Sequence, residues 1–547
     1  MSRWIDKLTV GEAVDRAAQR WGDLEALSFE GRRWSFAALR DDCDRAARGL
    51  IQAGVQPGDK VALWLDNRPE WIHILFATAK VGAVLVPINT RFRTNDLEYV
   101  VRQSDATTLI TARRSGPIDY LSMVRGLIPE LDAIAAPAAA LQSQDFPELR
   151  RIIVVDDARS PGTLRWTDVV ERGEAVPEAD RRARQESVDP DATTIMLYTS
   201  GTTGFPKGVM HCHDLLRNVT DQASRQAIRP PDAILTYLPL FHAFGLYEGP
   251  YMSVVSGARQ VLMERFDAGE ALRLIEAERI ALIHGFDTHF RELMNHSDLE
   301  KTDRSTLRSG ICSAGLASSE PTARRAQQLL CNTISAYGMT ELHNCAAQSF
   351  PLDSEDDRCT MSGAPMPGYT FRVIDPDTGA EQPHGTPGEI LVRAYGVMQG
   401  YYKKPEETAK AIDGEGWMHT GDRGIERADG TVRFLGRYKD MLKVGGENVD
   451  AAEVEALVLT HEAVAQVAVV GVPDERLAEV ACACVRLKPG AQLAAAELIA
   501  HCKGKVATFK IPRHVLFLDE YPMTSSGKVQ KFKLRDIALA QLGLSVG

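Results

Sequence analysis

Between Trp34 and Ala53, apolar residues return at Leu39, Cys43, Ala46, Ala47, Leu50 and Ile51. That three-to-four-residue period predicts an amphipathic helix. The period then changes. Lys60–Leu65 (KVALWL) reads as a strand, Glu70–Gly82 as a helix and Ala83–Ile88 (AVLVPI) as a second strand, followed by helical Leu97–Gln103 and extended Thr108–Thr111. Strands alternating with helices predict a parallel sheet with helices packed on it. Residues Arg114–Ser143 are rich in Ala and Pro and read as an irregular peripheral insertion. The strand rhythm resumes at Ile152–Val155, Thr194–Thr199, Val261–Glu264, Ala281–Gly285, Ser309–Ser313 and Thr333–Ala336.

Beyond Cys359 the pattern shortens. Phe371–Asp375, Gly388–Val392 and Val432–Phe434 are brief strands between turn signals such as DPDTG and ADG, predicting a small β-rich subdomain. After Arg437 comes a compact unit of about 110 residues, long enough to fold around its own core. Its pattern is helix Ala452–Leu459, strand Val464–Val472, strand Glu479–Leu487, helix Ala494–Lys505 and strand Val515–Leu518. The expected organisation is therefore α/β. Residues 1–437 form a large N-terminal domain of parallel-sheet subdomains plus a small β-rich subdomain, and residues 438–547 a small C-terminal α+β domain.

Composition narrows the class. The chain has 547 residues with ordinary apolar content and a formal net charge of −11. No long block of like charge points to nucleic acid or an anionic membrane surface. An anionic substrate would need positive charge gathered locally. Nine cysteines without metal-ligand spacing fit a reducing compartment. The opening MSRWIDKLTVGEAVDRAAQRWGD reads as an amphipathic helix rather than a signal peptide. The apolar stretch Ile234–Val255 is broken by prolines, His242 and Glu248, so no membrane span is expected. A cytoplasmic location follows as the expectation.

The chemistry concentrates in Thr199–Gly208, TSGTTGFPKG, with three glycines, four hydroxyl residues and one lysine. It follows a strand and precedes a helix read over His213–Gln226. Glycines allow close backbone approach, while Thr199, Ser200, Gly201, Thr202, Thr203 and Gly204 offer donors and Lys207 a point charge. That combination suits a polyphosphate. A flexible surface loop is the plain alternative. A Walker-type P-loop is excluded, because Gly208 follows Lys207 where a hydroxyl residue is required.

YTSGTTGFPKG closely resembles the phosphate loop of the adenylate-forming superfamily, which includes acyl-CoA synthetases, peptide-synthetase adenylation domains and luciferases. LPLFHAFG (Leu238–Gly245), YGMTE (Tyr337–Glu341), WMHTGD (Trp417–Asp422), GRYKDMLKVGGENVDAAEVE (Gly436–Glu455) and PMTSSGKVQK (Pro522–Lys531) follow in the family's order. The resemblance covers nearly the whole chain. Its tail, with CACVRLKPG and TSSGKVQKFKLRD, is most similar to medium-chain and related acyl-CoA ligases.

The resemblance implies a ligase that uses ATP, Mg2+ and coenzyme A to turn a carboxylic acid into an acyl-adenylate and then a thioester, within fatty acid metabolism or related chemistry. It implies Glu341 as magnesium ligand, Thr340 at the α-phosphate, Tyr337 stacked on adenine, Asp422 on the ribose hydroxyls and Arg437 beside ribose and phosphate. Lys528 would bridge carboxylate and α-phosphate. Taken alone, a Thr-Glu pair also reads as a helix N-terminal signal, a Gly-Asp pair as a turn and Lys528 as a surface lysine. The resemblance further implies rotation of the C-terminal domain about Lys439, bringing Gly445 and Gly446, with Lys443 assisting, to the pantetheine arm.

His242, Phe244, Phe286 and Gly338 would line the acyl pocket, and Gly315 would touch adenine. His242 would orient the carboxylate or gate the pocket, a neutral packed histidine being the alternative. A medium-chain fatty or cyclic acid is expected. The alternatives are a benzoate- or cinnamate-type acid, or a stand-alone adenylation enzyme that loads a carrier protein. Partners are expected to be small molecules, with a homodimer as an option.

Overall fold

A computed structural model describes residues 7–134, 141–156, 158–199, 206–312, 319–444, 447–474, 476–503, 505–524 and 528–544; of Lys439, Lys443, Glu447, Asn448 and Ala478 only the backbone is described. Two large sheets form the body. In the first, the strands run in the order Gly400–Tyr401, Lys207–His211, Ile195–Thr199, Val84–Pro87, Lys60–Trp64, Ala106–Thr111, Arg151–Val154 and Leu164–Arg165. The second runs Asn332–Ile334, Ser309–Ile311, Leu282–Ile283, Ala233–Thr236, Arg259–Leu262, Glu25–Phe29 and Arg32–Ser35.

Lys60–Trp64 pairs in parallel with both Val84–Pro87 and Ala106–Thr111, as the alternating rhythm requires. These strands are buried throughout their centres, which explains their continuous apolar runs. Helix Pro69–Lys80 begins on a proline at its first position, where the missing N–H costs nothing. It buries Trp71 and Phe76 completely. Helix Val10–Trp21 opens on a capping box between Thr9 and Glu12.

Two expectations need correction. Residues 114–143 are not irregular where described: a hairpin of Arg114–Ser115 and Ile118–Asp119 leads into helix Tyr120–Leu127, capped by Asp119. Tyr120 stacks on Trp64 at 3.6 Å, tying this segment to the core. The glycine-rich loop does not run straight into a helix either. Lys207–His211 is a strand, antiparallel to Ile195–Thr199 and paired on its other edge with Gly400–Tyr401, and the helix begins at Leu215. Partners on both sides supply the ladder that local propensity does not.

Tyr369–Ile374, Gly388–Ala394, Met418–Glu426 and Val432–Arg437 form the antiparallel subdomain. The small C-terminal domain packs helices Ala451–Leu459, Ala495–Cys502 and Lys531–Leu542 on a sheet dominated by Val464–Asp474 and Ala478–Leu487. Its apolar core, from Leu442 to Leu539, is its own. All nine cysteines are free thiols. Among the described residues no helix is long and apolar enough to cross a membrane.

Candidate active site

Strand Ile195–Thr199 and its return strand meet at the pair Thr199 and Lys207. Both ends of the glycine-rich loop are thereby pinned at one point of the sheet, although Ser200, Gly201, Thr202, Thr203 and Gly204 lie outside the described residues. The Lys207 ammonium stands 4.1 Å from the centre of the Tyr401 ring, a cation–π contact. The Tyr401 hydroxyl in turn donates to Glu341 Oε1 at 2.9 Å. Lysine and carboxylate, 134 positions apart in sequence, are therefore brought together through a single tyrosine.

Glu341 sits in one tight turn, Thr340–Leu342, and is buried. Its backbone is held on two sides: Met398 N–H donates to the Glu341 carbonyl at 2.9 Å, and His211 Nε2 lies 2.6 Å from the Thr340 carbonyl. His211 is buried, and burial lowers it to about 4, so it is the neutral imidazole that donates. The turn ends in left-handed His343 and Asn344, with φ of 52° and 69°. That reversal drives the chain back onto Gly338, where a Cβ would lie 1.7 Å from the Asn344 carbonyl oxygen. Gly338 is thus explained by close backbone approach.

Asp422 lies opposite Arg437 across the antiparallel subdomain. Its Oδ2 accepts from the Tyr337 hydroxyl at 2.8 Å and its Oδ1 faces Arg437 Nε at 3.3 Å. Burial raises the Asp422 carboxyl, while Arg437 and the tyrosine hydroxyl oppose the rise. The Tyr337 ring stacks on Phe434, with centroids 5.7 Å apart.

Lys528 enters the cleft from the C-terminal domain. Thr524 N–H donates to the Lys528 carbonyl at 2.6 Å, and Arg91 Nη1 of the large domain donates to the Thr524 carbonyl at 3.1 Å. The ammonium stands 4.7 Å from the centre of the Phe286 ring. The side chain keeps contact with solvent along the cleft. Surrounding protein and the Arg437 charge nevertheless lower it to about 8, with Asp422 opposing.

His242 caps the helix that starts at Ala243, its Nδ1 accepting from Phe244 N–H at 3.2 Å. Burial and the Lys528 charge lower it to about 3. Phe244 and Phe286 meet edge to face at 5.2 Å beside it. This helix carries a π-turn over Tyr247–Tyr251 around Pro250, the kind of irregularity that re-aims side chains at functional sites.

Of the expected residues, Lys207, Thr340, Glu341, Tyr337, Asp422, Arg437, His242, Phe244, Phe286 and Lys528 are linked to one another by direct contact, by a shared turn or by charge. Gly315, Gly445 and Gly446 lie outside the described residues, and Lys439 and Lys443 are seen only as backbone, in the turn Tyr438–Asp440 and the strand Met441–Val444. Among the described residues no group of three His, Cys, Asp or Glu can hold a metal ion. A lone buried carboxylate fits a magnesium ion held mainly by phosphates and water, not one caged by protein.

The family profile described as AMP-binding enzyme matches residues 14–402, and that of the AMP-binding enzyme C-terminal domain matches residues 453–528. The chain belongs to the AMP-binding enzyme family. It is 38% identical to the YngI protein of Bacillus subtilis (strain 168), over 98% of both chains. It is 35% identical to the mitochondrial medium-chain acyl-CoA ligase ACSF2 of Mus musculus, over 96% of this chain and 87% of that one. The fold matches the anthranilate CoA ligase AuaEII in complex with anthranoyl-AMP (TM-score 0.84, 26% identity, 98% of each chain). It also matches ATP-bound MatB from Rhodopseudomonas palustris (TM-score 0.82, 26% identity, 97% of this chain and 99% of that one).

Several residues of this AMP-binding enzyme's cleft went unnoticed in the sequence. His211 shares the period-2 face of Lys207 and Val209, a signal hidden because the segment read as loop. Tyr401 and Arg91 belong to no motif, and nothing local marks them. Phe434 lies in a predicted strand, but its partner Tyr337 is remote in sequence.

Proposed function

We propose that this AMP-binding enzyme is an acyl-CoA synthetase of the AMP-forming kind. A carboxylate oxygen attacks the α-phosphorus of ATP and the bond to pyrophosphate breaks. The sulfur of coenzyme A then attacks the acyl carbon and the bond to AMP breaks. Splitting one uphill condensation into two displacements is the logic of covalent catalysis, with ATP supplying the leaving group.

The observation that carries this reading is Lys528, whose ammonium stands against Phe286 beside His242 while feeling both Asp422 and Arg437. Two anions at ~3–4 Å repel by roughly several kcal/mol at an intermediate dielectric. A positioned ammonium between carboxylate and α-phosphate offsets that repulsion where charge develops. Asp422 would exchange its Tyr337 and Arg437 contacts for the ribose hydroxyls, a carboxylate's two oxygens suiting a vicinal diol. Lys207 and the loop donors would hold the outer phosphates. Glu341 would hold a magnesium ion travelling with them, which supplies charge neutralisation.

His242, neutral with Nδ1 accepting from the backbone, presents Nε2–H as a hydrogen-bond donor toward the acid. Phe244, Phe286 and Gly338 would border the acyl slot. Residues 438–547 would rotate about Lys439 between the two half-reactions, withdrawing Lys528 and bringing the segment around Lys443, Gly445 and Gly446 to the thiol.

The apolar edge-to-face pair and the ACSF2 relatives favour a medium-chain fatty or cyclic acid. The AuaEII likeness supports an aryl acid as the second reading. A panel of carboxylic acids with ATP and coenzyme A, read by AMP release and thioester formation, tests both. Dependence on aliphatic chain length supports the first reading, and preference for benzoate-type acids supports the second. AMP release without consumption of coenzyme A would replace both with a carrier-loading enzyme. A cytoplasmic location accompanies the proposal, though the ACSF2 relatives are named mitochondrial; cell fractionation decides it.

A further inference from the structure

At the far edge of the eight-stranded sheet lies a cavity of about 350 Å³, lined by five arginines, Arg150, Arg151, Arg159, Arg165 and Arg172, and a single carboxylate, Asp168. It is separated from strand Ile195–Thr199 by the strands Val84–Pro87, Lys60–Trp64 and Ala106–Thr111. At about 4.8 Å per strand the distance is on the order of 19 Å, so it is no part of the active-site cleft.

The chain as a whole carries 74 acidic against 63 basic side chains. Five guanidiniums gathered at one cavity therefore run against the molecule's own charge balance. Like charges so placed repel one another unless counter-charge is supplied. The protein supplies little. Asp168 is already engaged by Arg165, whose Nε donates to Oδ1 at 3.1 Å, and by Arg159 at 3.5 Å. Those contacts hold its carboxyl below the usual range. Arg151 is spent on neutral acceptors, its Nη1 donating to Thr108 Oγ1 at 2.9 Å and its Nη2 to the Gly54 carbonyl at 3.3 Å, and Asp59 opposes its charge only from a distance. Among the described residues, Arg150 and Arg172 make no side-chain hydrogen bond and no ion pair within 4 Å, and both are exposed while lining the cavity.

The type of cation also discriminates. Among the described lining residues every cation is an arginine. A planar guanidinium fork matches two oxygens of a phosphate group, which a lysine's point charge does not. Gly49, Leu164 and Val169 give the remaining wall an apolar, shape-defining surface. The volume is at the small end for ligand sites and suits one nucleotide or a short inorganic chain.

We propose that this cavity binds a small polyanion carrying at least two phosphate groups, at a site separate from catalysis. Arg150 and Arg172 grip one phosphate at the mouth, and Arg159 turns from Asp168 toward the other. Such a ligand has two sources, an inorganic polyphosphate or a phosphorylated nucleotide, and two probes separate them.

Calorimetric titration of the full chain with inorganic pyrophosphate, and separately with adenosine 3′,5′-bisphosphate, tests the site. Wild type is compared with the double substitution Arg150→Glu and Arg172→Glu. At least one probe is expected to lose one equivalent of binding in the double variant, or to bind that equivalent tenfold or more weakly. Thermal midpoint and thioester formation should stay at wild-type levels. Loss confined to pyrophosphate assigns the inorganic source, and loss confined to or stronger for the bisphosphate assigns the nucleotide. Arg159→Glu, at a side chain 76% exposed, weakens the same equivalent and serves should the double variant misfold. If neither probe responds to any of these substitutions, the proposal is overturned.

Discussion

At Lys528 a residue that reads alone as a surface lysine is given a chemical role by the proposed mechanism. Nothing in its own neighbourhood of the sequence requires that. Desolvation by the surrounding protein and the nearby Arg437 charge lower the ammonium to about 8, with Asp422 opposing, so a proton is lost within a measurable range. In the proposed mechanism the ammonium is the form that stabilises charge during adenylation. The free enzyme's kcat/KM for adenylation is therefore expected to be constant at neutral pH and to fall as pH rises through about 8, since kcat/KM reports groups of the free enzyme. His242, lowered to about 3, stays neutral and adds no acidic limb between pH 5 and 8. A pH series of pyrophosphate exchange checks this, and a profile flat to pH 10 would contradict it. For Lys528, Asp422 and Glu341 the order of motifs was sufficient to name candidates. For Tyr401 it was not, because its role exists only once Lys207 and Glu341 are brought to either side of its ring and hydroxyl.

Among the elements, the turn that carries Thr340 and Glu341 depends on backbone shape more than on side-chain contacts. Two consecutive left-handed residues return the chain onto Gly338. Gly338→Ala is expected to destabilise the protein by about 1–3 kcal/mol, the usual range for overpacking against an unyielding wall. It should also weaken magnesium-dependent activity by displacing Glu341. Chemical denaturation and a magnesium titration of activity measure both effects. The buried parallel strands were legible because burial on both faces demands unbroken apolar runs such as KVALWL. Lys207–His211 was not, since its strand conformation comes from neighbours on either edge, Ile195–Thr199 and Gly400–Tyr401. Helix Tyr120–Leu127 was likewise obscured by the Ala- and Pro-rich sequence around it, and its place is fixed by Tyr120 stacking on Trp64.

On the scale of the whole molecule, the C-terminal domain has its own core and meets the large domain through discrete polar contacts. Arg91 reaches the Thr524 carbonyl, and Arg423 Nη1 donates to Asp450 Oδ2 at 2.8 Å. Exposed contacts such as that of Arg91 are individually worth about 0–1 kcal/mol, and the Arg423–Asp450 pair is partly buried, so two such contacts permit exchange between arrangements. Two half-reactions with incompatible surroundings need such exchange. Lys439→Pro fixes one backbone torsion at the proposed pivot. Adenylation should persist, while thioester formation slows by about tenfold or more, as a factor of 10 is about 1.4 kcal/mol of barrier. Single-turnover assays of each half-reaction separate the two, and equal slowing of both would place the pivot elsewhere. The composition and strand rhythm made the two-domain α/β architecture readable, but the docked position of Lys528 depends on contacts between domains that no local pattern encodes.

The most direct measurement is the pair of half-reactions in Lys528→Ala, using the best acid from the panel and its supplied acyl-adenylate. Pyrophosphate exchange is expected to fall by about 100-fold or more, the usual cost of removing one preorganised charge-stabilising donor. Thioester formation from the supplied adenylate should stay within a few-fold of wild type. Equal loss of both would contradict a lysine that serves adenylation and then leaves.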